Sequence, residues 1–180
     1  AIIEDGVIMA AVQEERFTRI KHDPSFPIKA IEYCLEQVQC KIEEIDAIIF
    51  YDKPLLKFER LLETYYGFVP RGLRSFIVAM PVWLNEKLFL KRLIYRELEK
   101  VGSFDKKKVK LLFPEHHLSH AASAFYPSPY EEAAVLTIDG VGEWATASIC
   151  HGKGKHIKIL KELRFPHSIG LLYSAFTYFL

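Results

Sequence analysis

The feature that most constrains this chain is an apolar run, Ala133-Ala134-Val135-Leu136-Thr137-Ile138, that stops at Asp139-Gly140-Val141-Gly142-Glu143. Six such residues bounded by a glycine turn predict a buried strand, and strand ends feeding glycine-rich turns are where α/β proteins place ligands. Just upstream lies His116-His117-Leu118-Ser119-His120. A helix over residues 116–125 sets His116 and His120 one turn apart on one face, so their imidazoles converge. Two imidazoles and the Asp139 carboxylate suit a borderline divalent cation, Fe(II), Zn or Mn, with positions left open for substrate oxygens. A hydrogen-bonded structural cluster is the alternative that spacing alone leaves open. Position 117 is His where a zincin helix carries its general-base Glu, so that pattern is absent. His117 points about 100° from its neighbour and is expected to be structural or to support the ligands.

The rest of the chain predicts alternating elements. Ala1-Ile2-Ile3, the Glu4-Asp5-Gly6 turn and Val7 to Val12 form a β-hairpin pattern, because Asp-Gly supplies the positive φ of a tight turn. Pro27 opens an amphipathic helix with Ile28, Ile31 and Leu35 on one face. Ile45 to Tyr51 reads as a buried strand. Residues 54–100 read as a helical insertion, interrupted around Gly67 to Gly72 and again at Pro81. Val109 to Phe113 is a short strand, and further strands are expected at Trp144 to His151 and His156 to Arg164. Gly170 to Leu180 is an apolar, aromatic helix pattern. The order predicts α/β layering, a mixed sheet with flanking helices. A lone hairpin needs more sheet or a helix, and the last helix has neither cap nor breaker. The expectation is therefore one domain, incomplete at both ends of residues 1–180.

Half the residues are apolar, about a quarter are charged and the formal net charge is +1, which makes no case for nucleic acid. Cys34, Cys40 and Cys150 are odd in number and share no metal spacing, so unpaired thiols in a reducing, cytoplasmic setting are expected. The longest clean apolar run, Phe76 to Leu84, is far short of the ~20 residues of a membrane span. The 54–100 segment mixes aromatics with Lys and Arg. A packed insertion with a solvated basic face is the plain reading, beside a substrate-side lid and, least favoured, membrane contact. The charged run Gln13 to Asp23 reads as a solvated loop, or as phosphate or carboxylate binding by Arg16, Arg19 or Lys21. The Gly140-Val141-Gly142 turn opens no helix, so it is neither a Rossmann fingerprint nor a Walker loop; its backbone amides could form a phosphate nest. Ser119, Ser123, Ser174 and Cys150 have no base and orienter beside them in sequence, so nucleophilic catalysis is not supported.

Taken together, Glu14-Glu15-Arg16-Phe17-Thr18-Arg19 with Lys21-His22, the block His116 to Phe125, Leu136 to Glu143, and Ser168-Ile169-Gly170-Leu171-Leu172-Tyr173 resemble the carbamoyltransferase family of nodulation-factor and antibiotic O-carbamoyltransferases. The resemblance runs nearly the whole chain and implies the first half of that family's amino-terminal domain, with an actin-like ATPase (ribonuclease H-like) fold. It implies that a separate carboxy-terminal domain makes carbamoyl-adenylate from carbamoyl phosphate and ATP, and that this domain moves the carbamoyl group to the hydroxyl of a small molecule. It also implies a metal, iron first, on His116, His120 and Asp139, with a fourth ligand from elsewhere. Lys21 is implied to face the nucleotide or carbamoyl group; Gly140, Val141 and Gly142 of the turn are the other candidate nucleotide- or carbamoyl-binding residues. The general base is implied upstream of Ala1, so activity of these 180 residues alone is in doubt. Two rivals stay in view: a non-catalytic nucleotide- or partner-binding remnant, and a metal-dependent phosphotransferase or hydrolase on the same fold. A homodimer is left open.

Overall fold

The structure is a computed structural model that describes residues 1–83 and 89–180. It is mixed α/β and divides into two compact units, Ala1–Ile48 with Phe89–Leu112, and Ile49–Leu88 with Phe113–Leu180.

In the first unit, β1 (Ile2–Glu4) and β2 (Val7–Ala10) pair antiparallel as the expected hairpin. Asp5 and Gly6 both take positive φ, +49° and +85°, the two left-handed positions that a two-residue hairpin turn demands. The charged run is not all solvated loop. It contains a short helix α1 (Glu15–Thr18), and the Glu14 carboxylate accepts the backbone amides of Lys29 and Ala30 at 3.2 and 2.7 Å. Those are orphan donors of the first turn of α2 (Ile28–Gln37), so Glu14 does the capping that Pro27 cannot. A single 3₁₀ turn (Ile42–Glu44) precedes β3 (Ala47–Ile49), a strand shorter than expected that is hydrogen-bonded to β4 (Lys110–Leu112). Between them, α5 (Leu90–Leu98) buries Leu90, Ile94 and Leu98, one stripe at i, i+4 and i+8; Ala30, Cys34, Ile42 and Val109 are also buried in this unit.

In the second unit, α3 (Pro54–Phe68) and α4 (Leu73–Trp83) are the helices of the 54–100 segment that fall here, α5 of the first unit being its third. The break predicted near Gly67 to Gly72 occurs at Val69–Gly72. The break predicted at Pro81 does not: Pro81 lies in the last turn of α4, whose helix continues to Trp83. The helical expectation for residues 84–88 lies outside the described residues. Downstream come α6 (His116–Phe125), β5 (Glu132–Ile138), β6 (Ala145–Lys153), β7 (His156–Arg164) and α7 (Ile169–Phe179). The three strands form an antiparallel sheet in the order β5-β6-β7. Helix α6 packs on one face of it, where Ala121 and Phe125 meet Val135 and Cys150. The Phe125 ring comes so close to β6 that a Cβ on Gly152 would lie 2.7 Å from it.

Two sheet expectations need correction. The described strands form three small sheets and not one mixed sheet. The strand ending at Asp139 is covered on one face only: Val135 and Thr137 are buried, while Leu136 between them and Ile138 after them are exposed. A continuous apolar run could not reveal this, because it lacks the alternation that marks a one-sided strand. Among the described residues all three cysteines are free, and no helix is long and apolar enough to cross a membrane.

Candidate metal centre

The site lies in the second unit, where the first turn of α6 meets the exit of β5. His116 is the first residue of α6 and His120 follows one helical turn later, their rings edge-on with centroids 4.6 Å apart. Asp139 follows the last residue of β5, its backbone amide donating to the Thr146 carbonyl at 2.8 Å. His116 Nε2 lies 2.7 Å from Asp139 Oδ2 and 3.1 Å from His120 Nε2, and His120 Nε2 lies 3.8 Å from the same carboxylate oxygen. Three ligand atoms thus converge on one point. With metal–ligand bonds of ~2.1 Å, ligands at right angles would stand ~3.0 Å apart; the two spacings from His116 are close to that and the third, between His120 and Asp139, is wider. The side chains grade outward: His116 is 13% exposed, Asp139 33% and His120 53%, so one side of the cluster is open to solvent.

The surroundings hold this geometry. Burial pushes up the Asp139 carboxyl, but hydrogen bonds from His116 and from the Gly140 amide outweigh it, and the group titrates below its ordinary range. His117 is buried under the helix with Nδ1 2.6 Å from Thr137 Oγ1 and 3.2 Å from Ser148 Oγ, pinning α6 to β5 and β6. Burial, then the neighbouring His116, pushes its pKa down, so the ring is neutral at pH 7. Its expected structural role is what the geometry shows. Ser168 caps α7, accepting the Leu171 amide at 3.0 Å, and donates to the Gly140 carbonyl at 2.6 Å, tying the glycine turn to that helix.

The turn amides are partly spoken for. Gly140 N–H donates to Asp139 Oδ1 at 2.6 Å and Gly142 N–H to the Ala145 carbonyl at 3.3 Å; no acceptor for the Val141 amide is found among the described residues. Lys21 is exposed and belongs to the first unit, whereas the three candidate ligands and the glycine turn belong to the second.

Sequence reasoning missed a charged layer behind His116. Asp52, only 5% exposed, pairs with Lys57 Nζ at 2.5 Å. The Lys53 amide donates to Glu143 at 2.5 Å, and Lys53 Nζ pairs with Glu115 at 2.9 Å. Burial raises the Glu143 carboxyl pKa; the Lys53 amide opposes that and Asp52 reinforces it. The available signal was Asp52 itself, an acid at a strand exit directly before a Lys-Pro helix start, the same kind of position as Asp139.

The family described as carbamoyltransferase N-terminus matches residues 1–180 of this chain. The chain belongs to that family. Relatives include an uncharacterized protein of Synechocystis, 60% identical over 99% of this chain and 29% of that protein. The nodulation protein NolNO of Sinorhizobium fredii is 35% identical over 96% of this chain and 23% of its own length. An uncharacterized protein of Methanocaldococcus jannaschii is 31% identical over 91% of this chain and 34% of its own. This carbamoyltransferase amino-terminal chain therefore spans roughly a quarter to a third of the relatives it matches.

Proposed function

We propose that the chain is the first part of an O-carbamoyltransferase, working on carbamoyl-adenylate made from carbamoyl phosphate and ATP. In this reading the scaffold is an actin-like ATPase half-domain bearing residues 54–100 as a helical insertion. His116, His120 and Asp139 hold a divalent metal, Fe(II) first and Zn or Mn as alternatives. The observation that carries it is the convergence of two Nε2 atoms and one carboxylate oxygen at 2.7–3.8 Å in a member of the carbamoyltransferase family.

In the transfer, the acceptor's hydroxyl oxygen bonds to the carbamoyl carbon, the bond to the adenylate phosphate breaks, AMP leaves with the electron pair, and the hydroxyl proton passes to a base. A bound divalent metal would supply Lewis acidity toward phosphate or acyl oxygens. The chain's own contribution is placement. His117 fixes the helix face that carries both imidazoles, and the Gly140 amide holds one oxygen of Asp139 so that the other faces them. Such fixed geometry supplies orientation before the reaction starts. Lys21 supplies a cation for the nucleotide or carbamoyl group.

The purified, folded protein is expected to carry about one transition-metal ion per chain, and His120→Ala to lose it. Even supporting residues of metal sites cost ~10–100-fold in affinity, and a direct ligand costs at least that. Elemental analysis showing unchanged metal in a folded His120→Ala variant would remove the metal reading.

A further inference from the structure

His116 uses only one of its nitrogens toward Asp139 and His120. The other, Nδ1, is buried and has no partner among the described residues. Asp52 Oδ1 lies 3.9 Å from it and is likewise buried without a partner. Each such orphan is destabilising, and an imidazole N–H and a carboxylate oxygen relieve both by approaching about 1 Å closer. Asp52 is not at liberty to turn away, because its second oxygen is held by Lys57 at 2.5 Å. Glu143, anchored on the Lys53 amide, borders the same carboxylate.

We propose that Asp52 is a positioning residue for His116. Without a metal, Nε2–H donates to Asp139; where a metal takes the place of that contact, Asp52 accepts a hydrogen bond from Nδ1–H and so presents Nε2, with its lone pair free, to the metal; the proposal rests on the metal reading of His116, His120 and Asp139. A neutral imidazole carries one proton, and the group at the far nitrogen decides which nitrogen keeps it. A carboxylate can only accept, so it draws the proton to Nδ1. The Lys57 contact sharpens the consequence. In Asp52→Asn the amide oxygen stays on the donor-only Lys57 and the NH₂ turns to His116. Nδ1 then becomes the acceptor, and the proton moves to Nε2, where it competes with a metal. Asp52→Ala only leaves the tautomer unfixed.

The test uses the full-length protein stripped of metal, with Zn(II) as the probe against a competing chelator. Asp52→Asn is expected to weaken Zn(II) binding by about 10–100-fold and Asp52→Ala by less. Neither should weaken it further in a His116→Ala background, because the effect runs through that ring. In the Zn-loaded wild type the His116 Nδ1 proton should appear as a protected, downfield resonance that Asp52→Ala abolishes. Asp52→Asn is nearly isosteric and carries the test if Asp52→Ala fails to fold. Equal affinity of wild type and Asp52→Asn, or the same loss with and without His116, would overturn the role while leaving the metal reading intact. A wild type that binds no Zn(II) would remove the metal reading, and this role with it.

Discussion

Gly142 shows how tightly single residues are specified around the cluster. A Cβ added there would stand 2.7 Å from the Ala145 carbonyl oxygen and 3.1 Å from the Cδ2 atoms of both His116 and His117. The carbonyl belongs to the backbone and cannot swing aside, so the helix carrying the histidines must give. Gly142→Ala is expected to lower stability by about 1–3 kcal/mol, the usual cost of overpacking. It should also weaken metal binding, since His116 is one of the groups displaced. Denaturant unfolding and chelator competition on the same variant measure both, and a variant as stable as wild type would show that the turn relaxes freely. At this scale His116, His120 and Asp139 were legible because two local rules, the helical period and the strand end, placed them. Asp52 carries the same strand-exit signal, but nothing local joins that exit to a helix far downstream, so its place behind His116 was not legible.

Elements were legible where their signal was local and periodic, as in α6, β6, β7 and the Asp5-Gly6 hairpin. They were misread where a long-range partner decided the outcome, as for the face of β5 left exposed and for Glu14, whose caps on α2 join residues distant in sequence. Helix α5 combines both. Its stripe of Leu90, Ile94 and Leu98 is a period any helix shows, but the largely buried Glu97 beside that stripe is explained only by Lys100 and Arg96 pairing with it. The hydrogen bond from Lys100, with Arg96 adding to it, holds the Glu97 carboxyl below its ordinary value of 4.5. A depressed folded-state pKa means that the unfolded chain binds the proton more readily. The pair's contribution is therefore present above pH 4.5 and is lost as pH falls through the folded value. Glu97→Gln should thus unfold at lower denaturant than wild type at pH 7, with the gap closing below pH 4.5. A gap that stayed constant down to pH 3 would mean that Glu97 acts through packing and not through charge.

Across the whole molecule the candidate functional groups divide between the two units. His116, His120, Asp139 and the charged layer behind them belong to the second, and Lys21 to the first. The division makes the two roles separable by experiment. Among the described residues the three clustered groups all belong to the second unit, so Lys21→Ala should keep wild-type metal content. If Lys21 faces the nucleotide, the same variant should bind ATP about 10–100-fold more weakly, the equivalent of one charge-assisted contact at about 1.5–3 kcal/mol. Because Lys21 is exposed, that loss should shrink as salt rises. Calorimetry of the folded variant at low and high salt, beside elemental analysis, reads all three quantities. Equal ATP affinity at low salt would take Lys21 out of the site. Loss of metal together with nucleotide would show that Lys21 is not confined to the nucleotide.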